Sequence, residues 1–457
     1  VTADLVRWMW AGVACLLWLG LTGLILWQVR RSADKAREQA RALAGSAGQD
    51  GVVVVYASQT GFAEELAWMT ARALSDGGVG ANILSIADLD QQALSSARRL
   101  LVIASTTGEG DAPDSAGRFV RQILPTQLDL SHLSYGLLAL GDRSYEAYCR
   151  FGHVIADWLE QNGAQTLFDR VEVDNGEAGA IRHWQHQLNL ITGSTTAPDW
   201  TPPAYEAWRL AQRHLLNPGS PGGEAWHVVI EPVDHSPQWQ AGDIAEIGLP
   251  ALNGQEGLSR EYSVANLASE GRAEFCIRLM THEDGRPGLG SGWLTQSAQI
   301  GDHIPMRIRK NQSFRAPPPD APMILIGNGT GIAGLRSHLK ARLEAGSKAG
   351  TWLLFGERTQ AHDAFYEAEL MAMVEQGVLS RLDRCFSRDG GEHLYVQSLV
   401  ASHGRLIREW VERGAYVYVC GSLEGMSKGV HAALEAALGD ETMTGLIDSG
   451  RYRRDVY

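Results

Sequence analysis

The sequence has few cysteines, and no two of them are paired by spacing. Cys15, Cys149, Cys276, Cys385 and Cys420 are odd in number, scattered, and never form C-x-x-C. A disulfide framework and a structural zinc site are thereby excluded, and the bulk of the chain reads as belonging to a reducing compartment. Positive charge is also short. Forty Lys and Arg stand against 53 Asp and Glu, a net charge of −13. Affinity for a polyanion begins with cations on phosphates, so nucleic acid is not an expected partner. The triphosphate loop G-x-x-x-x-G-K-[ST] is absent. Long apolar runs are absent too, with one exception near the N-terminus.

What is present is an ordinary globular balance. The chain has 457 residues, 44% apolar and 20% charged, with 51 Gly. That length has room for about three domains. The exception lies between Arg7 and Arg30, where 22 residues carry no formal charge. As a helix they would span ~33 Å, close to a bilayer core. Trp8, Trp10 and Trp27 stand near the two ends, and Arg30, Arg31, Lys35, Arg37 and Arg41 follow. A signal peptide would instead carry its charge before the run and a small-residue cleavage site after it. The expectation is a single-pass transmembrane anchor over residues 1–31 and an Ala-rich stalk over 32–50. It places the chain in the inner (cytoplasmic) membrane with the soluble domains facing the cytoplasm. The chain opens on Val, and a piece of a longer membrane protein is the alternative.

Residues 52–57, VVVVYA, form an unbroken β-branched run, the mark of a strand buried on both faces of a parallel sheet. The run ends in Ser58, Gln59, Thr60, Gly61, Phe62 and Ala63, and a helical pattern follows. A hydroxyl-rich turn at a helix N-terminus suits a monophosphate, because free N–H groups and the helix dipole face the anion. A second buried strand, 99–104, ends in Ser105, Thr106, Thr107, Gly108, Glu109 and Gly110. A third, 135–140, ends in Leu140, Gly141, Asp142, Arg143, Ser144, Tyr145, Glu146, Ala147, Tyr148 and Cys149. Three strand ends on one sheet edge describe a slot for a planar ring with a phosphate tail.

The second half alternates in period two around residues 226–233, 243–249 and 274–280, as antiparallel strands of a small barrel would. Ser259, Arg260, Glu261, Tyr262 and Ser263 put a cation, an aromatic and a hydroxyl on one strand. Gly288, Leu289, Gly290, Ser291, Gly292 and Trp293 follow as a glycine-rich turn opening a helix, suited to a pyrophosphate. A second doubly wound pattern starts at the strand 323–327 and runs into Gly327, Asn328, Gly329, Thr330 and Gly331. It continues with strand ends at Gly356, at Ser387 and Arg388 ahead of Tyr395 and Gln397, and at Cys420.

S-Q-T-G-x-A-E-E, S-T-T-G-E-G-D-x-P and L-G-D-x-S-Y-E-x-Y-C resemble, in order and spacing, the FMN loops of flavodoxins. They look closest to the flavodoxin-like domain of the diflavin reductases. R-x-Y-S, the G-x-x-[ST]-x-W-L turn, G-x-G-T-G and the terminal R-Y-R-R-D-V-Y resemble the ferredoxin–NADP reductase module of the same family. The resemblance implies an α/β protein. After the transmembrane helix come a flavodoxin-like doubly wound FMN-binding domain (51–192), a linker (193–224), an antiparallel FAD-binding β-barrel (225–318) and a doubly wound NADPH-binding domain (319–457).

It also implies site residues. Ser58, Gln59, Thr60, Gly61, Phe62 and Ala63 would hold the FMN phosphate. Residues 105–110, with Leu140, Gly141, Asp142, Tyr148 and Cys149, would surround the ring on which Tyr145 stacks. Arg260 would meet the FAD pyrophosphate, with Tyr262 stacked on the flavin, Ser263 near N5, and Gly288, Ser291, Gly292 and Trp293 around the phosphates. Gly329, Thr330, Ser387, Arg388, Tyr395 and Gln397 would bind NADPH, with Ser387, Arg388 and Tyr395 on its 2′-phosphate. Ser263, Cys420 and Asp455 would line the hydride path, and Tyr457 would cover the FAD. Cys420 is not read as a nucleophile, since no base or oxyanion arrangement accompanies it.

Four departures stand out. Thr107 replaces an aromatic that would cover the second FMN face, Phe62 a small or polar residue, His393 a Lys, and Gly334 a Pro. A neutral imidazole at His393 attracts a phosphate less, which implies a softer and more pH-dependent preference for NADPH. Only 20 residues separate Trp239 from Arg260, too few for the helical connecting domain of the family. The implied activity is electron transfer from NADPH to FAD to FMN, then to a haem protein, a sulfite reductase-type partner or a ferric chelate. Glu109, Asp111 and Asp114 form an acidic loop facing such a partner. The alternatives are a single-flavin (FAD) reductase whose flavodoxin-like part is a docking module, and the C-terminal piece of a larger inner-membrane reductase.

Overall fold

The computed structural model describes residues 51–143, 145–193, 204–250, 258–282, 284–390 and 394–456. They form three sheets in succession along the chain. The first comprises β1 (Val52–Ala57), β2 (Ala81–Ser85), β3 (Arg99–Ser105), β4 (Ser134–Gly141), β5 (Gln165–Thr166) and β6 (Val171–Asp174). Its order is β2-β1-β3-β4-β5, with β6 also on β4, and every pairing is parallel. Val52, Val54, Leu101 and Leu138 fill one face of this sheet, and Val55, Leu100, Val102 and Leu137 the other. That two-sided burial is why the run of valines does not alternate with polar residues. Helices α1 (Phe62–Asp76), α2 (Arg150–Gln161) and α3 (Ala178–Thr192) cover the faces. The first turn of α1 holds Glu64 and Glu65, where the helix dipole favours carboxylates.

The second sheet is antiparallel. It consists of β7 (Glu206–Leu215), β8 (Ala225–Pro232), β9 (Ile244–Gly248), β10 (Ser259–Ser263), β11 (Ala273–Arg278) and β12 (His303–Arg309), in the order β10-β9-β12-β7-β8-β11. Just past β10 the N–H of Ala265 bonds the carbonyl of Glu274 in β11, so the two edges meet around one core of Trp208, Ile230, Ile247, Phe275 and Met306. This sheet begins earlier than expected. Residues 206–215, assigned to the linker for the prolines and glycines on either side, form its longest strand, with Trp208 and Leu210 fully buried.

The third sheet is parallel, in the order β15-β14-β13-β16-β17. Its strands are β13 (Met323–Asn328), β14 (Thr351–Glu357), β15 (Arg381–Phe386), β16 (Tyr416–Gly421) and β17 (Tyr452–Val456). Helix α4 (Ile332–Glu344) follows the glycine turn after β13, and α5 (Asp440–Asp448) precedes β17.

The expected transmembrane helix, and the inner-membrane placement built on it, are corrected here. No helix among the described residues is long and apolar enough to cross a membrane. The longest, α1 and α3, have 15 residues each, about 22 Å against a core of about 30 Å. Residues 1–50, which carried the anchor and stalk expectations, lie outside the described residues.

Candidate functional site

The first strand end turns tightly. Gly61 adopts φ +88°, a left-handed conformation open to glycine without strain, and its N–H donates to Ser58 Oγ at 2.9 Å. On the neighbouring strand end the Thr106 N–H donates to the Leu140 carbonyl at 2.9 Å, and Thr106 Oγ1 accepts from the Phe151 N–H. Thr107 closes a small loop by exchanging backbone hydrogen bonds with Asp111. Its Oγ1 is buried without a hydrogen-bond partner among the described residues. A ligand with a polar edge would satisfy that atom. Gly108 and Gly110 both have positive φ, and Glu109 lies between them. Ser105 ends β3. Beyond β4 and Asp142, Tyr145 is exposed and Tyr148 lies under the Arg143 guanidinium at 5.2 Å. Cys149 is buried in a left-handed conformation, its Sγ donating to the Ala139 carbonyl, and burial pushes its thiol up to about 11. The residues assigned to FMN are thus gathered on the carboxyl edge of the first sheet, with Ser58, Gly61 and the Thr107 hydroxyl left toward a ligand and Gln59 and Phe62 engaged by the other two sheets.

In the second sheet Arg260 and Tyr262 share a face of β10. They meet over Gly290, where a Cβ would lie 2.8 Å from Arg260 Cγ and 2.7 Å from the Tyr262 hydroxyl. Gly288 caps the short helix that holds Gly292, and Trp293 opens the turn after it. Ser291 Oγ accepts the N–H of Met280. Arginine, aromatic and glycine turn converge as a dinucleotide pyrophosphate requires.

Ser263 points the other way from Tyr262, and its hydroxyl donates to Asp455 Oδ2 at 2.6 Å. Cys420 Sγ approaches the same oxygen at 3.8 Å. Three residues from β10, β16 and β17 therefore meet at one carboxylate. Burial raises the Asp455 carboxyl to about 6, against the Ser263 hydrogen bond that lowers it. Burial, then the charge of Asp455, holds the Cys420 thiol well above its ordinary value. A thiol so held is a poor nucleophile. Gly334 lies against the cluster, its would-be Cβ 3.1 Å from Cys420 Sγ. The larger proline expected there would crowd the sulfur.

Gly329 and Thr330 form the turn after β13. Ser387, Arg388 and Tyr395 are farther along the same sheet edge, with Tyr395 exposed and Gln397 in the helix that follows it. Tyr457 and His393 lie outside the described residues.

The sequence reading missed how closely the first sheet docks on the other two. Gln59 Nε2 donates to the Arg454 carbonyl at 2.9 Å, and the Arg454 guanidinium forks onto Asp114, with Nε–Oδ1 at 2.9 Å. Ser313 Oγ donates to the Gln59 carbonyl and Arg309 to that of Thr60, while Arg307 pairs with Glu65 at 3.1 Å. The Arg309 guanidinium stacks over Phe62, which gives that departure a packing role. Leu423 lies against Gly108, where a Cβ would overlap its methyl. A cavity of about 730 Å³ opens at this junction, lined by Gly61, Glu64, Trp68, Arg307 and Lys310 among others. Also missed was Arg278, paired with Glu357 next to Gly329. The signal for Arg454 was available: it precedes Asp455 on a strand, so period two sends it to the opposite face.

Two nucleotide-type sheet edges joined through an antiparallel barrel define a flavin- and pyridine-nucleotide-dependent oxidoreductase. Comparison agrees. The Flavodoxin family matches residues 54–184, and the oxidoreductase NAD-binding domain family matches 325–432. The sulfite reductase [NADPH] flavoprotein alpha-component of Vibrio cholerae is 26% identical over 90% of this chain and 88% of its own length. The proteins of that name from Aliivibrio fischeri and Yersinia pestis are each 25% identical, over 93% and 89% of this chain and 92% and 90% of theirs. The chain resembles the diflavin reductases over nine-tenths of its length, and it is an oxidoreductase that acts on NADPH, with FMN and FAD as its cofactors.

Proposed function

We propose that the chain takes electrons from NADPH at the Ser263, Cys420 and Asp455 cluster. They pass through FAD and FMN to an acceptor protein of the sulfite reductase kind. The observation that carries this reading is the double engagement of β17. Arg454 holds Asp114 beside the loop assigned to FMN, while Asp455 accepts from Ser263 beside the residues assigned to FAD. When bound, the flavins supply the chemistry, taking up a hydride and releasing electrons singly.

The chain's own residues orient and shield. Arg260 and the turn at Gly288 to Gly292 hold a pyrophosphate, and Tyr262 presents its ring. The buried Asp455 carboxylate, near the nicotinamide end, favours positive charge developing there. Gly61 and Ser58 cradle a monophosphate, and Tyr145 offers a stacking face. The direct contacts among the three sheets take over the positioning that a helical connecting domain gives elsewhere in the family. On the acidic loop Asp111 stays exposed and available to a basic acceptor, whereas Asp114 is taken by Arg454.

The test is an NADPH-driven acceptor panel of ferricyanide, a c-type cytochrome, a sulfite reductase haem subunit and ferric chelates. Reduction of the haem subunit at a rate that falls with ionic strength supports the reading. Reduction of ferricyanide alone, at every salt concentration, contradicts it.

A further inference from the structure

The 2′-phosphate of NADPH is the only group separating it from NADH, so discrimination rests on cations that stay charged at working pH. Of the residues assigned to that phosphate, Arg388 is the one permanent cation, and His393 stands where the family pattern has a lysine. The third sheet supplies another candidate. Strands β14 and β15 are parallel, with Glu357 opposite Phe386, and the ladder continues past their ends. The Ser387 N–H donates to the Glu357 carbonyl at 2.8 Å and the Arg388 N–H to the Arg358 carbonyl at 2.7 Å. One further step of register sets Arg358 opposite Ser387.

The charge of Arg358 is felt by the buried Glu357 carboxyl, but no ion pair joins the two side chains. Its neighbour Glu357 is buried, with one carboxylate oxygen paired to Arg278 and the other accepting the Arg358 backbone N–H. Asp363 is occupied by Asn217, Ser220 and Thr359, and Asp389 accepts from the Gln360 N–H. No side-chain hydrogen bond or ion pair engages the Arg358 guanidinium among the described residues. It lies against Gly222 so closely that a Cβ there would overlap Nη1 and come within 2.7 Å of Cδ. A half-buried Arg358 packed against a glycine, with no carboxylate in ion-pair contact, at the strand end beside Ser387, is arranged for an external anion.

We infer that Arg358 is a second permanent cation of the 2′-phosphate subsite, acting with Ser387 and Arg388. The inference rests on the NADPH reading above and adds to it a residue that sets nucleotide specificity.

The test is calorimetric binding of adenosine 2′,5′-bisphosphate and of 5′-AMP to the full chain with its flavins, for wild type, Arg358→Ala, Arg358→Lys, Gly222→Ala and Arg388→Ala. Removing one charge-assisted contact should weaken the bisphosphate roughly tenfold in Arg358→Ala and leave 5′-AMP unchanged. Arg358→Lys should keep part of the affinity, and Gly222→Ala should fall in the same direction by displacing the guanidinium. The ratio of kcat/KM for NADPH over NADH should drop by the same factor. If wild type discriminates and Arg388→Ala abolishes the discrimination while Arg358→Ala retains it, Arg358 has no such role. If wild type binds the bisphosphate no tighter than 5′-AMP, the NADPH reading fails, and this inference with it.

Discussion

Arg454 and Asp455 are consecutive residues of one strand with their side chains committed to different parts of the molecule. Arg454 forks onto Asp114 of the first sheet, and Asp455 accepts the hydroxyl of Ser263 in the barrel. Alternation along an extended strand makes this division possible. It joins the loop assigned to FMN to the cluster assigned to hydride transfer by a single peptide unit.

Charge reversal at Asp114 therefore separates two activities. In Asp114→Arg the pair becomes a repulsion at a partly buried contact, and NADPH-driven reduction of a protein acceptor should fall by at least about tenfold. Ferricyanide reduction, which needs only the FAD side, should stay within about twofold. The double variant Asp114→Arg/Arg454→Asp restores the pair with its charges exchanged and should recover most of the loss. Stopped-flow reduction of both acceptors measures the split, and failure of the double variant to recover would remove the pair from the account.

Asp455 ties activity and stability to pH in opposite senses. Burial raises its carboxyl to about 6 in the folded chain, above the ordinary 3.8. A raised carboxyl contributes its full stability below pH 4, and that contribution is lost as pH rises through 6. The difference of about two units corresponds to about 3 kcal/mol. Hydride transfer from NADPH, in which the carboxylate is proposed to act, should instead increase through pH 6. Asp455→Asn should melt higher than wild type at pH 8 and lose the pH step in single-turnover flavin reduction. A lower melting temperature at pH 8 would contradict the assignment.

The barrel and the third sheet are joined by buried charge. Arg336 bonds Glu274 at 2.7 Å and pairs with Glu369, and His227 bonds the Tyr366 hydroxyl. Burial opposes the ionised Glu274, yet the hydrogen bond and charge of Arg336 lower its carboxyl. Burial also depresses His227, to about 4. Glu274→Ala removes one of the two carboxylates on a buried guanidinium, leaving Glu369 alone, and should cost about 2 kcal/mol. Denaturant unfolding of Glu274→Ala, with Glu274→Ala/Arg336→Met as the matched apolar replacement, distinguishes a lost partner from a lost cavity filler. The double variant should be the more stable of the two.

Tyr145 is 37% exposed at the edge of its slot. As a stacking face it should contribute about 1 kcal/mol to flavin retention. Tyr145→Ala should lose FMN during gel filtration while its FAD content is unchanged. Equal loss of both flavins would place Tyr145 outside the FMN site.

The parallel sheets were legible because local signals sufficed. Valines 52 to 55 are buried on both sides, and each hydroxyl- or glycine-rich turn sits where a strand hands over to a helix. Ser263, Cys420 and Asp455 came from motif order, and the structure brings them to one carboxylate. Strand β7 was hidden because its prolines and glycines lie outside it, and composition averages over a window. The docking of Arg309 on Thr60 and Phe62 was illegible for a different reason. It joins residues about 250 positions apart, and no periodicity reports a contact of that separation. The N-terminal run met a thickness criterion by length and apolarity, but it lies outside the described residues, among which no helix is long and apolar enough to cross a membrane.

Denaturing the purified chain and separating the released flavins by chromatography tests the central claim most directly. Two flavin sites in one chain require FMN and FAD in equal amounts, one of each per polypeptide. Release of FAD alone, even after incubation with excess FMN, would contradict the account.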